Sequence, residues 1–142
     1  MMENFSIEPL KGFGDLEFGM SLDEVVKIIG KPDKQEEIEP VEDVDDSHIV
    51  VLDYYNLDLS LYFEGNSVSK LYNFYTVNEK TTLYGINIFG LNKDELIELM
   101  TKNGRGNYIE DTDDGDCVTF EDVNIDFYFD ENELVEVFWG ME

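Results

Sequence analysis

Two side chains in this sequence could act as a nucleophile or a base, His48 and Cys117, and each is the single residue of its type. A nucleophile needs an activating base beside it, and His48 stands alone where a strand is expected to begin. Cys117 is followed and preceded by acids (Asp114, Asp116 and Glu121), which raise a thiol pKa and oppose the thiolate. We therefore expect a structural histidine, a packed cysteine and no catalytic residue.

The sequence also lacks the short motifs that carry common enzyme chemistry. It has no glycine-rich phosphate loop, no Gly-x-Ser-x-Gly elbow and no His-Glu-x-x-His zinc helix. We predict a protein that is not an enzyme and uses no cofactor. An enzyme of unrecognised type would need a pocket with convergent polar groups, which the sequence does not reveal.

An acidic segment, 110–116, resembles a calcium loop in composition, because hard cations favour several carboxylates around a glycine turn. With Gly115 in the glycine position, however, the first ligand would be Glu110 and the third Thr112, and the flanking segments have strand patterns. We therefore interpret the segment as the acidic tip of a hairpin and predict no metal site. A calcium- or cation-binding module with acidic loops is the alternative function.

The charge balance is extreme, with 34 acidic and 9 basic residues, a net charge of −25 and a pI near 4.1. Such a chain repels nucleic acid and anionic membranes and favours a basic protein partner. The alternative is that acidity only gives solubility or reflects a salt-rich habitat. Ten Phe, eight Tyr and an apolar fraction of 42% argue against disorder. The oligomeric state is not predicted.

A single cysteine excludes an internal disulfide, and the first residues carry neither the basic region nor the apolar stretch of a signal peptide. No segment has the apolar length that is needed to cross a bilayer. From these features we expect a cytoplasmic protein.

An internal duplication organises the chain. Residues 14–26 correspond to 85–97, and residues 57–64 correspond to 123–130, in the same order. This predicts one domain, residues 1–142, made of two pseudo-repeats at about 12–76 and 83–140. Each unit alone would have a marginal core at that length.

Local patterns assign the elements of each unit. Ser21 with Glu24 predicts a capping box, and Gly30 with Pro32 predicts the helix end. The second helix is expected at 92–102. Strands are expected at 13–18, 48–55, 57–64, 68–75, 83–89, 108–110, 117–121, 123–130 and 134–139. Residues 33–47 are expected to form mostly an exposed loop, part of which could alternate as an edge strand.

These elements predict an α+β fold with two tandem strand–helix–β-meander repeats. Helices as short as these need a sheet to pack against. We therefore expect an antiparallel sheet with the helices packed on one face. The patterns leave open whether the two units form one continuous sheet or two packed sheets.

The sheet face opposite the helices is the predicted binding surface. Four tyrosines are expected there, interleaved with Asp58, Ser60, Glu64 and Asp126. This composition is suited to docking a basic protein, since tyrosine gives large contact area at low entropic cost. The alternative is that these tyrosines cover the sheet without binding anything. The tyrosines are Tyr54, Tyr62, Tyr72 and Tyr128. The predicted partner-binding residues are Asp43, Asp45, Asp46, Asp58, Tyr62, Asp111, Asp113 and Asp114.

The string Phe18-Gly19-Met20-Ser21-Leu22-Asp23-Glu24-Val25, followed by Ile29-Gly30-Lys31-Pro32, resembles the repeat unit of the tandem-repeat β-lactamase inhibitor protein and of the small outer-membrane assembly lipoproteins. The second copy keeps Phe89-Gly90-Leu91 and the helix but lacks the Gly-x-Pro. The resemblance implies a scaffold whose concave sheet face grips another protein. The chain departs from both groups in having no secretion signal, lipid-attachment cysteine or paired cysteines.

A small, strongly acidic protein on this scaffold also resembles the bacterial immunity proteins that neutralise polymorphic toxins, whose nuclease domains are commonly basic. That resemblance implies an immunity protein that blocks a basic toxin domain, with a nuclease domain as one case. The implied mechanism is occlusion together with charge complementarity.

Overall fold

A computed structural model describes residues 4–38, 48–65, 69–111 and 116–141. These residues form two α-helices, α1 (Leu22–Ile29) and α2 (Lys93–Lys102), one 3-10 turn (Tyr55–Leu57) and thirteen strands. The strands are β1 (Ser6–Glu8), β2 (Gly12–Phe13), β3 (Leu16–Glu17), β4 (Lys34–Ile38), β5 (His48–Tyr54), β6 (Leu59–Gly65), β7 (Lys70–Thr76), β8 (Thr82–Leu83), β9 (Ile86–Asn87), β10 (Ile109–Asp111), β11 (Asp116–Phe120), β12 (Ile125–Asp130) and β13 (Glu133–Gly140).

The strands form two sheets. The large sheet has eight strands in the order β10-β11-β12-β13-β7-β6-β5-β4, and each neighbouring pair is antiparallel. The small sheet has five short strands in the order β3-β2-β1-β8-β9, with β1 and β8 parallel. In the large sheet β7 and β13 pair at the centre, so the first half of the chain builds one side and the second half builds the other.

The α+β prediction, with helices packed on one face of a repeat-built sheet, is wrong. The protein is mainly β, and a second sheet takes up segments that were expected to be single strands. Residues 13–18 and 83–89 each turn back on themselves, because Gly14 (φ 61°) and Gly85 (φ 78°) adopt left-handed conformations. Each segment is therefore a two-residue hairpin, β2–β3 or β8–β9, and belongs to the small sheet.

Both helices begin at the predicted residues and carry complete capping boxes. The Ser21 hydroxyl accepts from the Glu24 amide, and the Glu24 carboxylate accepts from the Ser21 amide. Asn92 and Glu95 repeat this exchange at α2. The helix predictions at Ser21–Gly30 and 92–102 are thus confirmed, since capping depends on residues close together in the sequence.

The core is one buried apolar cluster to which the large sheet, the small sheet and both helices contribute. Trp139 and Phe74 of the large sheet are fully buried and stack with centroids 5.1 Å apart. Phe13 of the small sheet meets the Trp139 ring edge-on at 5.2 Å. Val25 and Leu96 bring the two helices into the same buried cluster. One apolar cluster therefore joins both sheets.

Two segments were assigned differently by sequence. Residues 34–38 form the edge strand β4, which pairs with β5 from Lys34–Asp53 to Ile38–Ile49, so the edge strand allowed for part of the expected loop 33–47 is present. Residues before Gly12, which lie outside both expected pseudo-repeats, contain β1. Alternation is weak in both segments, so only the pairing with a partner strand identifies them.

Candidate functional site

One face of the large sheet is not covered by any described segment, and we call it the open face. On β6 and β12 the core-facing residues are buried, whereas the residues between them are partly buried or exposed. Antiparallel partners lie on the same face, so the register defines this surface. The open face contains Asp53, Ser60, Tyr62, Tyr72, Tyr75, Cys117, Thr119, Asp126, Tyr128, Glu136 and Phe138.

An aromatic cluster occupies the centre of the open face, where the two halves of the chain meet. Phe138 on β13 is directly opposite Tyr75 on β7, with ring centroids 6.4 Å apart. Tyr62 on β6 meets Phe138 edge-on at 5.5 Å and 67°. Such rings provide rigid, partly exposed apolar area of the kind that anchors protein interfaces.

A carboxylate–hydroxyl pair flanks the aromatic cluster on each side. Ser60 Oγ donates to Asp53 Oδ1 at 2.5 Å across β6 and β5. Thr119 Oγ1 donates to Asp126 Oδ1 at 2.6 Å across β11 and β12. Both pairs are partly buried and both are formed by directly opposite residues. The hydroxyl fixes each carboxylate and leaves its second oxygen, Oδ2, without a hydrogen bond from the described residues.

The tyrosines of the open face remain neutral at physiological pH. Burial, and then the hydrogen bond and charge of Glu136, raise the pKa of Tyr75 to about 12. Burial first, and then the neighbouring Cys117 and Asp126, raise the pKa of Tyr128 to about 12. Burial and Asp53 raise the pKa of Tyr62 as well. These phenols therefore keep their hydroxyl hydrogen and can act as donors.

The open face is strongly acidic. By register, the lysines on this side of the described strands are Lys34 and Lys70, both at its margins. Lys34 forms an ion pair with Glu36 of the same strand. Lys34 is also directly opposite Asp53, and the pKa of Lys34 is raised mainly by Glu36, with a further contribution from the charge of Asp53. Among the described residues, neither Asp53 nor Asp126 forms an ion pair within 4.0 Å.

Cys117 lies on the open face beside Tyr128 and Thr119. Burial is the main cause that raises the pKa of its thiol, and Asp126 and Asp111 raise it further, while hydrogen bonds with Thr119 and Tyr128 lower it. The predicted direction of this shift is confirmed. The acids responsible are across the sheet, however, and not the sequence neighbours that were expected.

The predicted partner-binding residues occupy different places. Asp43, Asp45, Asp46, Asp113 and Asp114 lie outside the described residues. Tyr62 is on the open face, as predicted. Asp111 ends β10 opposite Cys117, on the same side of the sheet but five strands from Tyr62, about 24 Å away.

Two residues that were expected on this face lie elsewhere. Asp58 follows the 3-10 turn in a left-handed conformation (φ 48°), and its carbonyl oxygen accepts from the Val77 amide. Tyr54 is 4% exposed, on the core side, and its hydroxyl donates to the Gly30 carbonyl at 2.8 Å. Tyr54 is two residues from buried Leu52 along β5, and that spacing requires the same side.

Sequence analysis missed several residues of the open face, among them Phe138, Tyr75 and Glu136. Residues 134–139 are apolar at five of six positions, so alternation does not indicate which side each one takes. The register between β13 and β7 determines which side of the sheet each of these residues takes. The signal that was present is Glu136, since a lone acid in an apolar strand marks the exposed side and places Phe138 with it.

A groove lies at one end of the large sheet, between the 3-10 turn and the segment that leads to β8. Its volume is about 1140 Å³, and its charged lining residues have mixed signs. Asn78 fixes one wall, since its side-chain amide donates to the Leu57 carbonyl at 2.8 Å and its own carbonyl accepts from Thr81 Oγ1 at 2.6 Å. The charged residues that line the groove are Lys31, Asp33, Asp58, Glu79 and Lys80.

Neither a cluster of metal ligands nor a membrane-spanning helix occurs in the described part of the chain. Among residues 4–38, 48–65, 69–111 and 116–141, no group of three or more His, Cys, Asp or Glu is arranged to hold a metal ion. Residues 112–115 of the acidic segment that resembles a calcium loop lie outside these ranges. No helix of the described chain has the length and apolar character needed to span a membrane.

Comparisons with known proteins give one structural similarity. No family model matches the chain, and no curated protein matches it. A crystal structure of an extracellular protein containing an SCP domain, from Bacillus anthracis str. Ames, is similar at a TM-score of 0.48 and 18% identity. The match covers 87% of this chain and 44% of that protein. At this level of similarity nothing about function passes from one protein to the other.

Proposed function

We propose that this protein is a non-enzymatic binding protein whose open face docks a basic protein domain, and that its partner is a toxin domain that it neutralises as an immunity protein. The observation that carries the proposal is the aromatic cluster of Tyr62, Tyr75 and Phe138, which lies between two carboxylates on a sheet face without a covering segment among the described residues. Aromatic anchors inside a charged surround are what protein interfaces use.

Charge supports a basic partner in particular. The net charge of −25 steers a basic domain toward the protein and repels polyanions. Carboxylates of the open face would occupy the sites through which such a domain binds phosphates. The bound protein would also block access to those sites sterically. In this proposal the protein acts in the cytoplasm, where a toxin domain would act.

Growth rescue tests the proposal. The proposal expects a polymorphic-toxin domain to be encoded next to this gene. That domain would be expressed in a bacterial host with and without this protein, which should restore growth and co-purify with the domain. The absence of any toxin domain beside the gene, or failure to rescue growth, would contradict the immunity function.

Two variants test whether the open face is the docking surface. Tyr62→Ala removes an anchor and should weaken binding about tenfold or more. Tyr55→Ala removes a tyrosine that is 61% exposed in the 3-10 turn, outside the open face, and should leave affinity within about twofold. Equal losses in the two variants would argue against this surface.

Ionic strength provides a further measurement. If carboxylates steer the encounter, the association rate should fall steeply between low and physiological salt, while the dissociation rate changes little. An association rate that does not change with salt would show that charge does not steer the encounter.

A further inference from the structure

We propose, building on the proposed function, that the open face recognises an extended segment with two arginines, and that one guanidinium binds at each carboxylate–hydroxyl pair, Asp53–Ser60 and Asp126–Thr119. The chain between the arginines would cross the strands over Tyr75 and Phe138. This specifies the chemistry of the partner and the spacing of its contacts.

The two pairs are similar in geometry. Each one joins a carboxylate and a hydroxyl on directly opposite strands, at 2.5 Å and 2.6 Å. Ser60 of the first pair is directly opposite Tyr75, and Asp126 of the second pair is directly opposite Phe138. In each pair the hydroxyl holds one carboxylate oxygen, so the carboxylate would lose little further side-chain freedom when its other oxygen binds a partner. Preorganisation of this kind lowers the cost of association.

The spacing between the pairs fits an extended chain. Asp53 lies on β5 and Asp126 on β12, and four strand spacings of about 4.8 Å put them about 19 Å apart. An extended segment rises about 3.3 Å per residue, so side chains six positions apart lie on one side at about 20 Å. The two residues between them on that side would lie over the central row, where Tyr75 is opposite Phe138.

The chemistry favours arginine over other cations. A guanidinium binds a carboxylate through a planar fork and stacks on an aromatic face, whereas an ammonium is a strongly hydrated point charge. Directly opposite residues form a row across the sheet. In this row an aromatic residue of the cluster lies no more than two strands from Asp53 and no more than two strands from Asp126. A second copy of this chain is a poor occupant, because two faces of the same negative sign would repel.

Synthetic peptides test the proposal without the toxin domain. The first peptide carries arginines six positions apart in a neutral, extended sequence, the second has the same composition with the arginines two positions apart, and the third has lysines in place of both arginines. Fluorescence anisotropy at low salt should show the first peptide binding about tenfold more tightly than either of the others.

The protein variant is Asp53→Asn with Asp126→Asn, which keeps an acceptor for Ser60 and Thr119 but removes both charges. Its matched control is Asp15→Asn with Glu79→Gln, which makes the same change in net charge on exposed residues off the open face. The first variant should bind the first peptide about tenfold more weakly, and the control should stay within about twofold. Circular dichroism would verify that both fold.

Three results would overturn the two-arginine proposal: equal affinity for both arginine spacings, equal affinity for the lysine peptide, or equal losses in the two protein variants. If this protein still rescues growth from the toxin domain and the rescue needs Tyr62, the proposed function stands and the arginine spacing alone is wrong. If binding to the toxin domain is also independent of Tyr62, the docking function of the open face falls with it.

Discussion

The indole of Trp139 donates from Nε1 to the carbonyl oxygen of Gly12 at 3.2 Å, a hydrogen bond between residues 127 positions apart. Trp139 belongs to the large sheet and Gly12 to the small one, and both are buried. The bond gives the buried indole N–H its acceptor, in the cluster where Trp139 also contacts Phe13 and Phe74. The two sheets are therefore joined by a polar contact inside an apolar core.

Trp139→Phe should lower the free energy of unfolding by about 2 kcal/mol, because it removes this hydrogen bond and part of the buried ring. Trp139→Ala should cost about 3–5 kcal/mol. Urea denaturation followed by circular dichroism measures both values. Tyr55→Phe, at an exposed ring, should stay within about 0.5 kcal/mol. A Phe variant as stable as the parent would mean that the contact between the sheets contributes little.

Gly12→Ala should be at least as damaging through the backbone alone. A Cβ at Gly12 would lie 2.9 Å from Glu17 Cα and still closer to the Leu16 carbonyl oxygen, both on the paired strand β3. Backbone atoms cannot move aside as a side chain can, so we expect a loss of about 2 kcal/mol or more, measured by thermal melting.

Gly106→Ala is the matched control for that substitution. The nearest atoms to a Cβ there are in the Thr101 side chain at 3.9 Å, an ordinary contact. This variant should remain within about 0.5 kcal/mol of the parent or be slightly more stable, through the reduced freedom of its unfolded chain. Similar losses at the two positions would refute the steric argument.

The features that sequence predicts correctly here depend on nearby residues. Ser21 with Glu24 and Asn92 with Glu95 define helix starts within one turn, and strict alternation from Leu59 to Phe63 identifies the core side of β6. The fold class was wrong because it depends on where short strands find partners. Hairpin β2–β3 pairs with β1, and β1 joins β8 in parallel some 75 positions away, which no local pattern specifies.

Local sequence patterns likewise predict only part of the candidate site, and the rest depends on strand pairing. Tyr62 could be placed on the open face by alternation, yet its neighbour Phe138 comes from the other half of the chain through the β7–β13 pairing. The pair Thr119–Asp126 likewise depends on register between β11 and β12. Charge alone highlighted the acidic loops. Asp126 was expected on this face but left out of the predicted partner-binding set, and Asp53 was not predicted at all.

The capping boxes should contribute to stability separately. Ser21→Ala and Asn92→Ala each leave an early helix amide without its acceptor and should cost about 1 kcal/mol in urea denaturation. Ser21→Asp and Asn92→Asp keep a capping oxygen and should retain most of the parent stability. Equal losses for the alanine and aspartate variants would indicate that the caps contribute nothing through their hydrogen bonds.

The loss of folding stability at alkaline pH should depend on Tyr54. Burial, and then the charge of Asp33, raise the pKa of Tyr54 from 10.0 to about 12. The unfolded chain therefore loses this proton near pH 10 while the folded chain holds it to about pH 12, so the contribution to stability is complete below pH 10 and is lost between pH 10 and 12.

Tyr54→Phe tests this dependence. At pH 7 the variant should be less stable by about 1 kcal/mol, because the hydrogen bond to the Gly30 carbonyl is lost. Phenylalanine does not titrate, so the gap from the parent should narrow as pH rises from 10 to 12. Ser21→Ala, with a similar loss at pH 7 and no titrating group, should keep a constant gap over the same range. Urea denaturation at each pH measures both, and a constant gap for Tyr54→Phe would show that ionisation of this buried phenol does not oppose folding.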